Sequence, residues 1–180
     1  PTVRLSSSVT KMVVEFEVRS RVGIIRLNRP DARNAVNSEL AEALEAAIDR
    51  LEDEPELWTG ILCASGPAFS AGADLKAIAS GRTDLSTVRG GFGGLVTRER
   101  AKPLIAAVEG PALAGGAELV VACDLVVAST TASFGLPEVK RSLLASAGGL
   151  VRLPRLLPRN LAMEIALTGD PLTAETAYQH

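Results

Sequence analysis

Two short stretches of this sequence carry almost no side-chain bulk, and each follows a run that reads as a buried strand. The first is Phe69-Ser70-Ala71-Gly72-Ala73-Asp74-Leu75 and the second is Pro111-Ala112-Leu113-Ala114-Gly115-Gly116-Ala117-Glu118. Small residues let a ligand come close to main-chain N–H groups. The second stretch also opens a helix, whose first N–H groups lack helical partners and carry partial positive charge. Facing one another, two such segments suit an oxygen that gains negative charge. That is the need of thioester enolate chemistry, in which each fixed amide donor can lower the barrier by about 3 kcal/mol. The alternative for either stretch alone is a tight turn that uses glycine for steric reasons.

Two carboxylates stand where such chemistry would use them. Glu118 interrupts an otherwise apolar run, Ala117 to Cys123, where a buried charge is costly unless it is paired or functional. Its plainer reading is a helix N-terminal acid stabilised by the dipole. Glu138 follows Phe134-Gly135-Leu136-Pro137, and its plainer reading is a solvated loop acid beside Lys140 and Arg141.

Other chemistries are limited by composition. The single histidine is His180, the last residue, which removes Ser-His-Asp and Cys-His catalysis and disfavours a His-based zinc site. No metal ligand set is expected, so acid–base work falls to carboxylates, Lys or Tyr. With 19 Lys plus Arg against 21 Asp plus Glu, the net charge of −2 argues against nucleic acid as a main partner. The longest strongly apolar stretch, Leu119 to Ala128, contains Asp124 and is far shorter than the roughly 20 residues of a membrane span. Pro1 to Lys11 lacks the apolar block of a signal peptide, so the expectation is a soluble cytoplasmic protein without membrane contact. Cys63 and Cys123 have no C-x-x-C spacing and lie in apolar surroundings, which assigns them to the core as reduced thiols.

These residues need a scaffold, and its elements are readable as a single domain. Val13 to Arg19 and Val22 to Leu27, joined at Ser20-Arg21, predict a β-hairpin. Leu40, Leu44, Ala47, Ile48 and Leu51 recur at helical spacing behind Asn37 or Ser38 as N-cap, giving a helix of about four turns. Thr59 to Ala64, Leu104 to Val108 and Leu125 to Ala128 read as buried strands, and the span from Val22 through Thr59 to Ala64 forms a strand–helix–strand unit whose crossover should be right-handed. Gly81 to Gly94 reads as a mobile connection into a helix that ends near Ala101 and is closed by Lys102-Pro103. Ala117 to Cys123 predicts a short helix, Ala132 to Leu136 a short strand, and Ala147 to Leu157, Leu161 to Thr168 and Thr173 to Tyr178 predict helices. Strands alternating with helices make the class α/β.

The same residues carry a family resemblance. Leu27-Asn28-Arg29-Pro30 with Asn34-Ala35, the block Ala68 to Lys76, Gly110 through Glu118 with Ala122-Cys123-Asp124, and Phe134 to Glu138 occur in the order and spacing of the crotonase, or enoyl-CoA hydratase/isomerase, superfamily, which the sequence closely resembles from about Val13 to its end. The resemblance implies a crotonase-like spiral of repeated ββα units, assembled as a homotrimer or a dimer of trimers. It places the oxyanion hole on the amides of Ala73 and Gly115. Coenzyme A, part of the substrate and not a prosthetic group, would lie along Asp31, Ala32, Arg33, Ala71, Asp74, Leu75 and Lys76, with Arg33 and Lys76 offering charge to its phosphates. Glu118 and Glu138 match the family's two hydratase glutamates, which implies syn addition of water to a trans-2-enoyl-CoA, with Glu118 deprotonating water and Glu138 protonating the α-carbon.

Two departures qualify the resemblance. The loop after Glu138 reads Ala145-Ser146-Ala147-Gly148-Gly149 where hydratases of the family commonly carry Pro-Gly-x-Gly-Gly, which predicts a different acyl specificity. Family members also continue beyond the position of His180 through further helices, so exposed apolar surface is expected, while residues 1–12 read as an extension before the core domain of residues 13–180. Enoyl-CoA isomerisation or acyl-CoA thioester hydrolysis on the same scaffold is the alternative activity. A non-catalytic acyl-CoA binding subunit is the alternative from another class.

Overall fold

The computed structural model describes residues 12–180; the expected N-terminal extension lies, apart from Met12, outside them. Strands β1 (Val14–Arg19) and β2 (Val22–Leu27) form the expected antiparallel hairpin, turning through Ser20 at φ +56°. Helix α1 (Ser38–Asp53) starts where Asn37 accepts the Leu40 N–H on its side chain. It buries Leu40, Ala41, Leu44, Ala47, Ile48 and Leu51, the face drawn by their spacing. Strand β3 (Thr59–Ala64) then pairs parallel to β2.

Helix α2 (Leu75–Ala79), strands β4 (Ser86–Thr87) and β5 (Gly91–Phe92), and strand β6 (Leu104–Val108) follow. Next come β7 (Pro111–Leu113), α3 (Gly115–Val121), β8 (Leu125–Ala128), β9 (Ser133–Gly135) and a 3-10 turn at Pro137–Arg141. The chain closes with α4 (Gly149–Leu156), α5 (Arg159–Thr168), β10 (Leu172–Thr173) and α6 (Ala174–Gln179). The main sheet has the order β1-β2-β3-β6-β8, parallel after the first pair, and a second sheet has the order β10-β9-β7. Side chains from β2, β3, β6 and α1, with Phe69 and Leu119, form the main core, and burying each leucine there contributes about 2 kcal/mol.

The helix expected to end near Ala101 does not form. Gly91, Gly93 and Gly94 all have positive φ, and the amides of Ala101 and Lys102 donate instead to the Glu52 carboxylate of α1. Lys102 Nζ reaches the Leu51 and Glu54 carbonyls at the negative end of α1. Arg89 and Arg98 both pair with Asp49, so the segment is laced along α1 as a strap. The pattern of charges on α1 therefore overrides any local helical preference.

Strand β8 lies at the sheet edge and leaves Leu125, Val126 and Val127 exposed, and Leu143, Leu144, Val151, Leu156 and Leu167 are exposed as well, so the expected apolar surface is present. The two cysteines are only partly buried, contrary to a full core placement. Burial nevertheless pushes the Cys63 thiol up and the Cys123 thiol up to about 12, which keeps both protonated.

One fully buried polar residue ties the site-bearing loops to the core. Asn34 donates from Nδ2 to the Ser65 and Ala68 carbonyls at 2.8 and 2.9 Å, and its Oδ1 accepts the Arg29 N–H at 2.8 Å. Its own carbonyl accepts from Ser70 Oγ at 2.9 Å. Asn34→Ala is expected to cost about 3 kcal/mol, because two carbonyls and one amide are left buried without partners. Urea unfolding of the two proteins measures it.

Candidate active site

The two small-residue stretches meet. The amides of Phe69 and Ser70 donate to the Pro111 carbonyl at 3.0 and 3.4 Å, and the Leu113 N–H donates to the Ser70 carbonyl at 2.9 Å. A Cβ built on Gly72 would fall 2.8 Å from the Gly115 nitrogen, and one on Gly116 would overlap the Ser70 carbonyl. Contact this close is possible only because Gly72 and Gly116 carry no Cβ. Around the junction most amides are taken: Gly72 N–H donates to Ser70 Oγ, Ala71 N–H to the Arg33 carbonyl, and Asp74 N–H to the Val36 carbonyl. Among the described residues, the N–H groups of Ala73 and Gly115 donate to nothing.

Strain marks the same place. Ala114, just before α3, has φ +54° and ψ −130°, a region that L residues with a Cβ rarely adopt. Its N–H donates to the Gly135 carbonyl at 2.8 Å, and this bond helps to hold the residue so that Gly115 opens α3 toward Gly72. On the other side, Phe92 rests against Gly115 so closely that any side chain at Gly115 would strike its ring. Phe92 sits on the strap, at a position the sequence offered only as a mobile connection.

Glu118, one turn into α3, is 2% exposed and accepts the Gly149 N–H on Oε1 at 2.9 Å. Burial pushes its carboxyl above the ordinary value; amides at Gly149 and Ala147 and the charge of Arg152 pull it back without cancelling the effect. Glu138, on the 3-10 turn, is half-buried, with Oε2 shut off from solvent and without a partner. Its carboxyl is also raised, first by burial and further by the charge of Glu118. The structure therefore brings the two glutamates together, and neither is a solvated surface acid. Glu138 borders an apolar hollow of 390 Å³ shared with Leu136, Leu143, Leu144, Leu150 and Met163.

A separate cleft of 620 Å³, a size typical of ligand sites, is lined by six of the seven residues expected to meet coenzyme A: Asp31, Ala32, Arg33, Asp74, Leu75 and Lys76. Ala71 is not among them; it lines an adjoining recess with Arg33, Ser70 and Pro111. Arg29 and Arg82 also line the cleft. Arg29 pairs with Asp74 at 3.1 Å, and Asp74 caps α2 through the Lys76 and Ala77 amides. Burial acts to raise the Asp74 carboxyl, but the Ala77 amide and the Arg29 guanidinium outweigh it and hold the group below its usual range. Asp74 is thus committed to structure, while Arg33, Lys76 and Arg82 project cationic groups at the cleft. Arg82 had no sequence signal beyond its charge in a loop without period.

Among the described residues, no group of three His, Cys, Asp or Glu side chains could hold a metal ion, and no helix is long and apolar enough to cross a membrane.

Comparison with known proteins bears on the family and the fold. A sequence profile described as enoyl-CoA hydratase/isomerase matches residues 17–180. The chain belongs to this family. A mevalonyl-coenzyme A hydratase of Beauveria bassiana is 45% identical over 163 residues, 84% of this chain and 58% of that protein. An enoyl-CoA hydratase of Mycobacterium tuberculosis is 41% identical over 169 residues, 91% of this chain and 64% of that one. The crystal structure of an enoyl-CoA hydratase from Mycobacterium marinum superimposes with a TM-score of 0.89 at 51% identity, covering 94% of this chain and 66% of that chain. The crotonase fold expected from the sequence is therefore the fold of this chain, which spans about two thirds or less of the length of these relatives.

Two outcomes follow from the site's strain and burial. Ala114→Gly removes the Cβ from a region it fits poorly and is expected to raise unfolding stability by about 1 kcal/mol in a denaturant titration. Glu118 has a folded pKa above its unfolded value, so its contribution is favourable at low pH and is lost as pH rises through the raised value. Glu118→Gln should accordingly melt at a higher temperature than the native protein at neutral pH, with the gain shrinking below the ordinary glutamate range.

Proposed function

We propose that the chain catalyses reversible addition of water to the 2,3 double bond of an enoyl-coenzyme A thioester. The observation that carries this reading is the pair of unpartnered main-chain N–H groups, at Ala73 and Gly115, on two loops in contact beside the buried Glu118 and the half-buried Glu138. Donors fixed by the fold cost little to reorganise when the thioester carbonyl oxygen gains charge. Names of the relatives, among them enoyl-CoA hydratases and carnitinyl-CoA dehydratases, support the same reaction class.

In this reading the cleft along Asp31, Ala32, Arg33, Asp74, Leu75 and Lys76 takes the coenzyme A moiety, with Arg33, Lys76 and Arg82 meeting its phosphates. Ala71 contributes at the edge of that path. The acyl tail enters the apolar hollow that Glu138 borders. Glu118 removes a proton from the attacking water while the carbonyl oxygen takes up negative charge at the Ala73 and Gly115 amides. Collapse of that enolate returns a proton from Glu138 to the α-carbon. Both carboxyls are raised and they repel one another, which suits a pair that keeps one proton between them and titrates as a unit.

Crotonyl-CoA mixed with the purified chain, followed by loss of the enone absorbance, tests the reading. Glu118→Gln and Glu138→Gln are each expected to lower kcat by at least about a hundredfold, the usual worth of a general acid or base. Native rates in both variants, or no hydration by the native chain, would overturn it.

A further inference from the structure

Helix α4 brings one charged side chain to the back of Glu118. Arg152 donates from Nη2 to the Val96 carbonyl on the strap and from Nη1 to the Ala147 carbonyl at 3.4 Å. The guanidinium also packs on Gly148 so tightly that a side chain at 148 would overlap it. One residue further, Gly149 gives its N–H to Glu118 Oε1. Val96 and Ala147 lie on segments that share no direct main-chain hydrogen bond among the described residues, so Arg152 is the group that fastens one to the other.

The reason this matters lies in the loop's composition. Residues 145–149 read Ala-Ser-Ala-Gly-Gly, with no proline to fix φ and two glycines free to wander. The Gly148 carbonyl accepts the Val151 and Arg152 amides of α4, which ties one side of the turn to the helix, and the Arg152 guanidinium on Ala147 ties the other, with the Gly149 amide held between them at 2.9 Å from the buried carboxylate. We infer that Arg152 is a positioning residue for Glu118: it closes the Ala147–Gly149 turn so that the turn's amide grips the carboxylate. Among the described residues, the charged groups that act on Glu118 are Glu138 from the 3-10 turn and Arg152 from α4. These two act in opposite senses, since Glu138 disfavours a second charge and Arg152 favours the ionised form. The catalytic meaning of this role rests on the reading of Glu118 as the base, but the structural claim does not.

The test therefore uses a signal that needs no turnover. In the chain labelled with 13C at glutamate carboxyls, the Glu118 resonance is assigned by its loss in Glu118→Gln and titrated by NMR in native protein, Arg152→Met and Arg152→Lys. Arg152→Met is expected to raise the Glu118 midpoint by about one pH unit, and to speed amide exchange at Gly149 at least tenfold. Arg152→Lys keeps the charge but cannot span both carbonyls, so its midpoint rises less than in Arg152→Met while Gly149 exchange still quickens. An unchanged midpoint in Arg152→Met, equal rises in Met and Lys, or native exchange at Gly149 in both would overturn the inference. Should Arg152→Met fail to fold, Arg152→Gln takes its place with the same expected outcomes. If the native chain hydrates crotonyl-CoA, the acidic limb of kcat/KM moves with the midpoint; if it does not, the proposed function falls while the NMR result still decides the role of Arg152.

Discussion

Two pieces of main chain lie close enough to share hydrogen bonds, with no side chain between them. Phe69 and Ser70 give their amides to Pro111, and Leu113 gives its amide to Ser70. Everything proposed for the site depends on that contact, because it leaves the neighbouring N–H groups of Ala73 and Gly115 as donors with nowhere to donate. Sterics enforce it: a methyl group at Gly72 or Gly116 would collide with backbone across the junction. Asn34 then fixes the first piece to the core, and the strained Ala114 fixes the entry of the second into α3.

Charge is arranged around this junction with the same economy. Burial works against ionised Glu118 and Glu138, and the fold answers with the Gly149 and Ala147 amides and one guanidinium at Glu118 and with nothing at Glu138 Oε2. The asymmetry gives two identical side chains different surroundings. Glu118 has support for a negative charge, whereas Glu138 has solvent exclusion and a charged neighbour, both of which favour keeping a proton.

Much of this was legible in the residues. The strands at Thr59–Ala64, Leu104–Val108 and Leu125–Ala128 coincide with their apolar runs, and Asn37 caps α1 as its side chain suggests. The loops were marked by their lack of bulk, and the glutamates by the apolar runs that Glu118 interrupts and Glu138 follows. What escaped was set by tertiary contact. The strap from Ser86 to Lys102 follows acids on α1 that are distant in sequence, so no local period announces it. Phe92, Arg82 and Arg152 act through what they touch, and each looked ordinary in its own stretch. Strand β7 hid inside a Gly/Pro/Ala segment, because its partner β9 lies beyond α3 and β8.

The order of the main sheet also constrains how the chain can assemble. The β1–β2 hairpin needs only a two-residue turn, but β3, β6 and β8 each join by a parallel pairing that spans a long crossover. Closing such loops costs entropy before any contact repays it, which makes parallel topologies slow to form. Residues 69–74 leave the end of β3 and residues 111–116 leave the end of β6, so the two cannot come into register until β3 and β6 have paired. The junction between the two loops thus rests on a strand pairing that is non-local in sequence, and a change that weakens β3 against β6 would disturb it at a distance.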